Sequence, residues 1–257
     1  MKWRPASVKS LRALGRSDMP ASVTADDGNQ YDRIEVFKHD FFAATGLYRG
    51  PQGKAVLKMG RTADFLGLPM AWLGEWLTAH ETALYRKLDH LPGVPKFIAP
   101  VGAAGLLHVF IEGHALQKRE PVSDTFFDEL TDLLTQIHDQ HVAYVDMEKC
   151  GNILVGEDGR PYLVDFQISW HVPKRWGGRI GPAKWICTLL QASDRYHLLK
   201  HRRRTRPDQL SPEDLQRSYR PPFYIGIHRW ITKPFTRLRR RTLQRMSRAE
   251  KARQAQA

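Results

Sequence analysis

Two short stretches constrain this chain more than any others. YVDMEKCGNILV (144–155) sets Asp146, Lys149 and Asn152 directly before an apolar run, and YLVDFQIS (162–169) closes a second apolar run on Asp165. GEDGR between them has the composition of a hairpin turn. Folding NILV against PYLVDF puts Asn152 and Asp165 at the same open end of that hairpin. Hard oxygen donors from one Asn and one Asp suit Mg2+, which keeps several waters and takes phosphate oxygens at its other positions. Asp146, in the loop, is placed to accept a hydroxyl proton. Lys149 lies between them and can neutralise a transferring phosphoryl group. Singly, each of these residues is ordinary for a surface loop; the pairing of the two strand ends argues for one site.

The rest of the chain supplies an α+β frame. RIEVFKH, FFAATGLYRG and KAVLKMG read as strands, the last two joined at RGPQG. Residues 63–90 turn helical, with Leu77, Glu81, Leu84 and Leu88 on one face, and LPGVP ends that helix. KFIAPVG and GLLHVFIEG follow as a strand pair. Residues 123–139 repeat Phe127, Leu130, Leu134 and Ile137 at helical spacing, with Ser123 as the expected N-cap. From about 183 the pattern is helical, with WICTLL and RYHLLK as apolar faces. The expected organisation is an irregular segment 1–30, a β-rich lobe 31–113, a mainly helical lobe 114–236 and a basic tail 237–257. Glu81 stands on an apolar stripe, where a carboxylate is costly unless paired. Lys58, at the end of AVLK, is its expected partner.

Charge is segregated. The net charge is +13, and residues 200–257 hold 17 Lys and Arg against 4 Asp and Glu, so the first 199 residues are neutral overall. HRRRTR (201–206) and RLRRRTLQRMSR (237–248) are the densest basic runs, with PPFYIGIHRWITKPF between them. Such a segment reads either as a packed closing helix or as an interfacial element for an anionic surface. No nucleic-acid reading motif accompanies it. Two cysteines without ligand spacing fit a reducing, cytoplasmic setting. No apolar run approaches the ~18 residues of a membrane span, and the N-terminus lacks the apolar core of a signal peptide.

Strand lysine, helix glutamate, then loop Asp, Asn and Asp is the order found in protein kinases. The chain resembles the protein-kinase-like superfamily over about residues 33–200, and most resembles its bacterial lipopolysaccharide core kinases (heptose and Kdo kinases). KHDFFAATGLYRG, KAVLKMGR and HETALYRKLDHLPGVP are similar to their N-lobe, and VDMEKCGNILV with YLVDFQ to their catalytic and metal loops. The resemblance implies a two-lobed kinase fold using ATP and Mg2+. Lys58 would contact the α and β phosphates and Glu81 would hold Lys58. Asp146 would be the base, and Asn152 and Asp165 the Mg2+ ligands. Thr45 and Gly46 would lie in a phosphate-covering loop, and Glu112 to His114 in the hinge near the adenine. The acceptor would be a core sugar of a glycolipid, met at the inner face of the cytoplasmic membrane. A compact RIO-like protein serine/threonine kinase, or a catalytically dead kinase fold serving as a binding module, are the alternatives. Five departures stand out. ATG (44–46) replaces a glycine-rich loop, Tyr144 occupies the place of a His, Gln167 replaces the glycine of D-F-G, and no A-P-E follows. Asp146 to Asn152 is six residues, one longer than the common spacing, so the loop has to bulge.

Deleting residues 237–257 removes eight Lys and Arg against Glu250 alone. Near an anionic bilayer each charge contributes up to about 1 kcal/mol. The intact chain is therefore expected to co-sediment with anionic vesicles at low salt, and the shortened one to lose most of that binding. Equal sedimentation with anionic and neutral vesicles refutes the membrane reading.

Overall fold

The computed structural model describes residues 12–65, 67–172 and 181–220. They group into two compact units, one of residues 12–82 and 98–110, the other of residues 83–97 and 111–220.

The first unit is built on a six-stranded sheet of β1 (Ser22–Thr24), β2 (Gln30–His39), β3 (Ala43–Gly50), β4 (Gly53–Gly60), β5 (Phe97–Val101) and β6 (Gly105–Val109), in the order β1-β2-β3-β4-β6-β5. Small and aromatic residues alternate through its core: Tyr31, Ala44, Tyr48, Ala55, Leu57, Ala99 and Leu107 are all buried together. The expectation of an irregular first thirty residues needs correction. Within the described part, Ser22–Thr24 pairs antiparallel with β2, and Leu14, Met19 and Ala25 enter the same core. These apolar positions are too widely spaced to show as a periodic pattern, and so escaped a periodicity reading. Helix α1 (Ala71–Leu88) belongs to the first unit up to Thr82 and to the second from Ala83. Its buried positions Thr78, Glu81, Leu84, Tyr85 and Leu88 recur at helical spacing.

Arg61 is an unexpected core member. It is fully buried, donates to the carbonyls of Phe41 (2.9 Å) and Asp64 (3.1 Å), and lies 4.1 Å from the Phe41 ring centroid. Burial pushes its pKa down from the usual value. The carbonyls and ring face replace the water a guanidinium loses on burial.

The second unit has a three-stranded sheet ordered β10-β9-β7, from β7 (Gly113–Ala115), β9 (Ile153–Gly156) and β10 (Pro161–Leu163). β8 (Val142–Ala143) pairs with β11 (Trp170–His171). Helices α2 (Phe126–Asp139), α3 (Pro182–Thr205) and α4 (Pro212–Tyr219) complete it. On α2 the expected stripe of Phe127, Leu130, Leu134 and Ile137 is buried. Ser123 is not its N-cap: the helix starts later, Thr125 holds that position, and the Thr125 hydroxyl donates to Glu129 instead. The basic run 201–206 is also partly neutralised. Arg202 pairs with Asp128 at 2.8 Å, and Arg206 with Asp124 at 2.7 Å and Asp208 at 2.8 Å. No described helix is long and apolar enough to cross a membrane. The stretch PPFYIGIHRWITKPF and the tail 237–257 lie outside the described residues.

A Cβ built on Gly50 would meet Cδ1 of the buried Tyr31 ring at 2.3 Å. The ring has no room to retreat, so Gly50→Ala should cost about 1–3 kcal/mol. A lowered urea midpoint at unchanged slope is the expected reading.

Candidate active site

In the first unit, Lys58 and Glu81 come together. Lys58 Nζ donates to both Glu81 oxygens, at 2.7 and 2.9 Å, with the side chains 11% and 1% exposed. A glutamate this buried is tolerable because the ammonium satisfies both oxygens. Thr45 and Gly46 do not form a loop. Both lie inside β3, where Thr45 pairs Lys58 and Gly46 pairs Leu57. A Cβ on Gly46 would stand 2.7 Å from the Glu35 carbonyl, beside the irregular register of β2, so this glycine serves close strand packing. The turn between β2 and β3 is residues 40–42 instead. Asp40 accepts from the backbone N–H of Phe42 (2.9 Å) and Ala43 (3.0 Å). Burial opposes that charge, but Lys38 and the two N–H groups outweigh it and hold the carboxyl below its usual range.

In the second unit, the loop before β9 gathers three of the expected residues. Asp146 Oδ2 accepts from Lys149 Nζ at 2.5 Å and from Asn152 Nδ2 at 2.9 Å. The long interval is taken up by a 3-10 turn over Cys150–Asn152. Asp165 follows β10, and the Val164 N–H donates to the Asn152 carbonyl at 3.1 Å, so the hairpin does bring the two stretches side by side. Asp165 and Val145 both sit in the left-handed region, at φ 65° and 70°. For a β-branched residue such as Val145 that conformation costs on the order of 1–2 kcal/mol.

Asp194 on α3 offsets that cost. It is fully buried, and its two oxygens accept from the consecutive backbone N–H groups of Tyr144 and Val145, both at 2.8 Å. His138 Nε2 adds a contact at 3.1 Å. Burial drives the Asp194 carboxyl up, while His138 and the two N–H groups pull the other way. His201, seven residues on, grips the middle of the loop. Its Nε2–H donates to the Met147 carbonyl at 2.7 Å and its Nδ1 lies 3.5 Å from Cys150 Sγ. Burial holds the imidazole below its ordinary pKa, matching a neutral ring that donates at one nitrogen only.

Tyr144 stands where a His was anticipated in this loop type. It is buried, its hydroxyl donates to the Val164 carbonyl, and its ring meets Phe166 edge-on at 5.3 Å. Phe166 meets Tyr85 of α1 in the same way at 5.2 Å. Burial, with the charges of Asp165 and Asp146, pushes the Tyr144 phenol well up, so it stays a neutral donor. Glu112 and His114 are exposed on either side of Gly113. The Glu112 carbonyl accepts from the Glu157 N–H at 2.9 Å, and His114 bonds Glu120.

The donor set suits Mg2+. The Asn152 amide donates through Nδ2 to Asp146, so its carbonyl oxygen is not spent on that bond, and it and the Asp165 carboxylate are the oxygens that would hold the ion. Two hard oxygens from the chain leave positions for water and phosphate.

Asp194, His138 and His201 were not anticipated. Cys187, Asp194 and His201 recur at sevens along α3 and are all buried. An acid on the apolar stripe of a helix was the signal that pointed to Glu81, and it was present here too.

Breaking the Lys58–Glu81 pair from one side strands a buried charge. Glu81→Leu or Lys58→Met alone should cost roughly 3–5 kcal/mol in denaturant unfolding, and the double variant less than either. Additive losses would show that the pair is not coupled.

No protein-family model and no curated protein matches the sequence. Solved structures do. The Rio2 kinase of Chaetomium thermophilum, in a complex described as ADP/Mg2+-phosphoaspartate, aligns with a TM-score of 0.52 over 72% of this chain and 62% of that one, at 14% identity. A second structure of that kinase gives 0.52, 72%, 63% and 14%. The chain thus spans less than two thirds of the length of these proteins. At such identity the likeness speaks to the backbone: the chain has an α+β, protein-kinase-like fold, with a β-rich N-terminal part and a mainly helical C-terminal part.

Proposed function

We propose that the chain is an ATP-dependent phosphotransferase and that its acceptor is a hydroxyl of a lipopolysaccharide core sugar. The observation that carries the proposal is the loop before β9. Asp146, held by Lys149 and Asn152, lies at the end of the hairpin that also presents Asp165.

Each residue then has a role. Lys58, fixed by Glu81, offers its ammonium to the α and β phosphate oxygens. Asn152 and Asp165 hold Mg2+, which when bound neutralises charge on the transferring group. Asp146 accepts the hydroxyl proton as the acceptor oxygen attacks the γ-phosphorus. The bond from that phosphorus to the β-phosphate oxygen breaks, and ADP leaves. Thr45 and Gly46 are assigned to the nucleotide phosphates from within a strand rather than a loop, and Glu112 to the adenine end. The ADP and Mg2+ named for the Rio2 kinase complex support the nucleotide and the metal. The acceptor rests on the sequence resemblance of the two halves to core sugar kinases, and that setting makes the protein a visitor to the cytoplasmic membrane face through its basic C-terminal segment.

Calorimetric titration with ATP, with and without Mg2+, should show Mg2+-dependent binding. Asp146→Asn should keep nucleotide affinity and lose on the order of 10²-fold or more in transfer. Asp165→Ala should lose the Mg2+-dependent part of binding. No binding at millimolar ATP overturns the phosphotransferase reading. Transfer to a generic protein but not to core oligosaccharide overturns the acceptor alone.

A further inference from the structure

The second unit contains a cavity of about 560 Å3 whose wall includes Lys118, Arg119, Arg203, Arg204, Thr205 and Tyr219, and no carboxylate. Charge pairing around it is selective. Arg202 and Arg206, next to the cavity in sequence, are paired with Asp128, Asp124 and Asp208. Among the described residues Arg203 faces only neutral partners: it donates to the Ser218 carbonyl (3.0 Å) and hydroxyl (3.2 Å), and it lies 3.8 Å from the Tyr219 ring centroid. The side chains of Lys118, Arg119 and Arg204 form no ion pair and no hydrogen bond among the described residues. Glu120, the nearest acid in sequence, is engaged elsewhere: one oxygen accepts from the Gln117 N–H and the other bonds His114. Outside the described residues the sequence offers a single acidic side chain, Glu250. The fold therefore leaves four cations on one cavity.

Like charges so gathered repel one another unless an anion enters. Arg119 adds a second cost, because its backbone sits at φ 63°, in the left-handed region. Strain of this kind at a non-glycine residue is found where a ligand is clamped. Guanidinium forks match the oxygens of phosphate and carboxylate. The Tyr219 side, 66% exposed, offers a flat face beside them. The volume falls within the range of small-molecule sites.

The geometry points to a polyanion site here, for a ligand carrying two or more phosphate or carboxylate groups. Such a ligand is either a free phosphorylated saccharide or the headgroup of an anionic lipid. The site is distinct from the Asp146 loop and does not rest on phosphoryl transfer. The test uses the full chain and two probes: inositol hexakisphosphate by calorimetry, and phosphatidylcholine vesicles containing phosphatidic acid by co-sedimentation. Lys118→Ser, Arg119→Asn and Arg204→Gln are combined, Asn being chosen to tolerate the left-handed backbone. Arg239→Ser, Arg240→Ser and Arg241→Ser together remove the same charge from the tail. The wild type and the tail variant should bind inositol hexakisphosphate at one per chain, and the cavity variant at least tenfold more weakly. A loss confined to the soluble probe assigns a free saccharide, and a loss on vesicles as well assigns the headgroup. Should the triple variant not fold by circular dichroism, Arg204→Gln alone should show a threefold loss. Cavity variants within twofold of the wild type on both probes overturn the proposal. So does an equal loss in the tail variant, or a parallel loss of MgATP binding in the cavity variant.

Discussion

The candidate site hangs on one buried carboxylate. Asp194 takes two consecutive backbone N–H groups, of Tyr144 and Val145, at 2.8 Å each, and His138 closes the arrangement. Without it, two buried donors would lack acceptors and Val145 would have nothing to offset its left-handed backbone. The residue that follows is Asp146. Its direction is therefore decided a helix away, by α3. His201 fixes the loop at a second point on the same helix, so α3 acts as a rigid rail along the loop. For the proton acceptance proposed for Asp146, precise placement from a rigid element matters, because small displacements of a catalytic group cost rate steeply.

Tyr144 joins the two halves of the hairpin. Its hydroxyl reaches the carbonyl of Val164, directly before Asp165, while its own N–H is held by Asp194. Phe166 packs edge-on between Tyr144 and Tyr85. A tyrosine can span this distance and keep an apolar ring against Phe166 in one side chain. The His expected from related loops would offer a smaller ring and a titratable nitrogen. The departure noted in the sequence is thus a different way of holding Asp165, by a hydroxyl whose proton burial makes hard to lose.

What the sequence made legible divides along the same physical line. Lys58 with Glu81 was readable because a carboxylate on an apolar helical stripe is anomalous by itself. Asp194 carries the same anomaly, but its partners are backbone N–H groups fifty residues away, and no residue type announces those. The strands β3 to β6, α1 and the stripe of α2 were legible because periodicity reports burial; β2 was legible by its β-branched and aromatic content alone, since Ile34, Val36 and Phe37 are exposed. Arg61 was not, since its partners are carbonyls and ring faces. Thr45 and Gly46 were misplaced for a related reason. A glycine can mark a turn or a close strand contact, and only the Glu35 carbonyl beside Gly46 decides between them. Two arginines of the run HRRRTR, Arg202 and Arg206, are neutralised by carboxylates on distant segments, Asp128 and Asp124, which are invisible in a local charge count.

Asp146 shows how one carboxylate can be both fixed and available. Both protein donors, Lys149 and Asn152, converge on Oδ2. Oδ1 receives none among the described residues, so on the proposed reading it is the oxygen that would meet an acceptor hydroxyl. The two donors also differ in reach. Asn152 is buried and bound to the hairpin, and it sets the plane of the carboxylate. The Lys149 side chain is 62% exposed on a flexible stem, so its bond to Asp146 is weak and easily exchanged. In the proposed phosphoryl transfer, an ammonium at that position could turn toward the developing negative charge while Asn152 keeps the carboxylate in place. The spacing of Asp146, Lys149 and Asn152 thus separates a fixed constraint from a movable charge on the same oxygen.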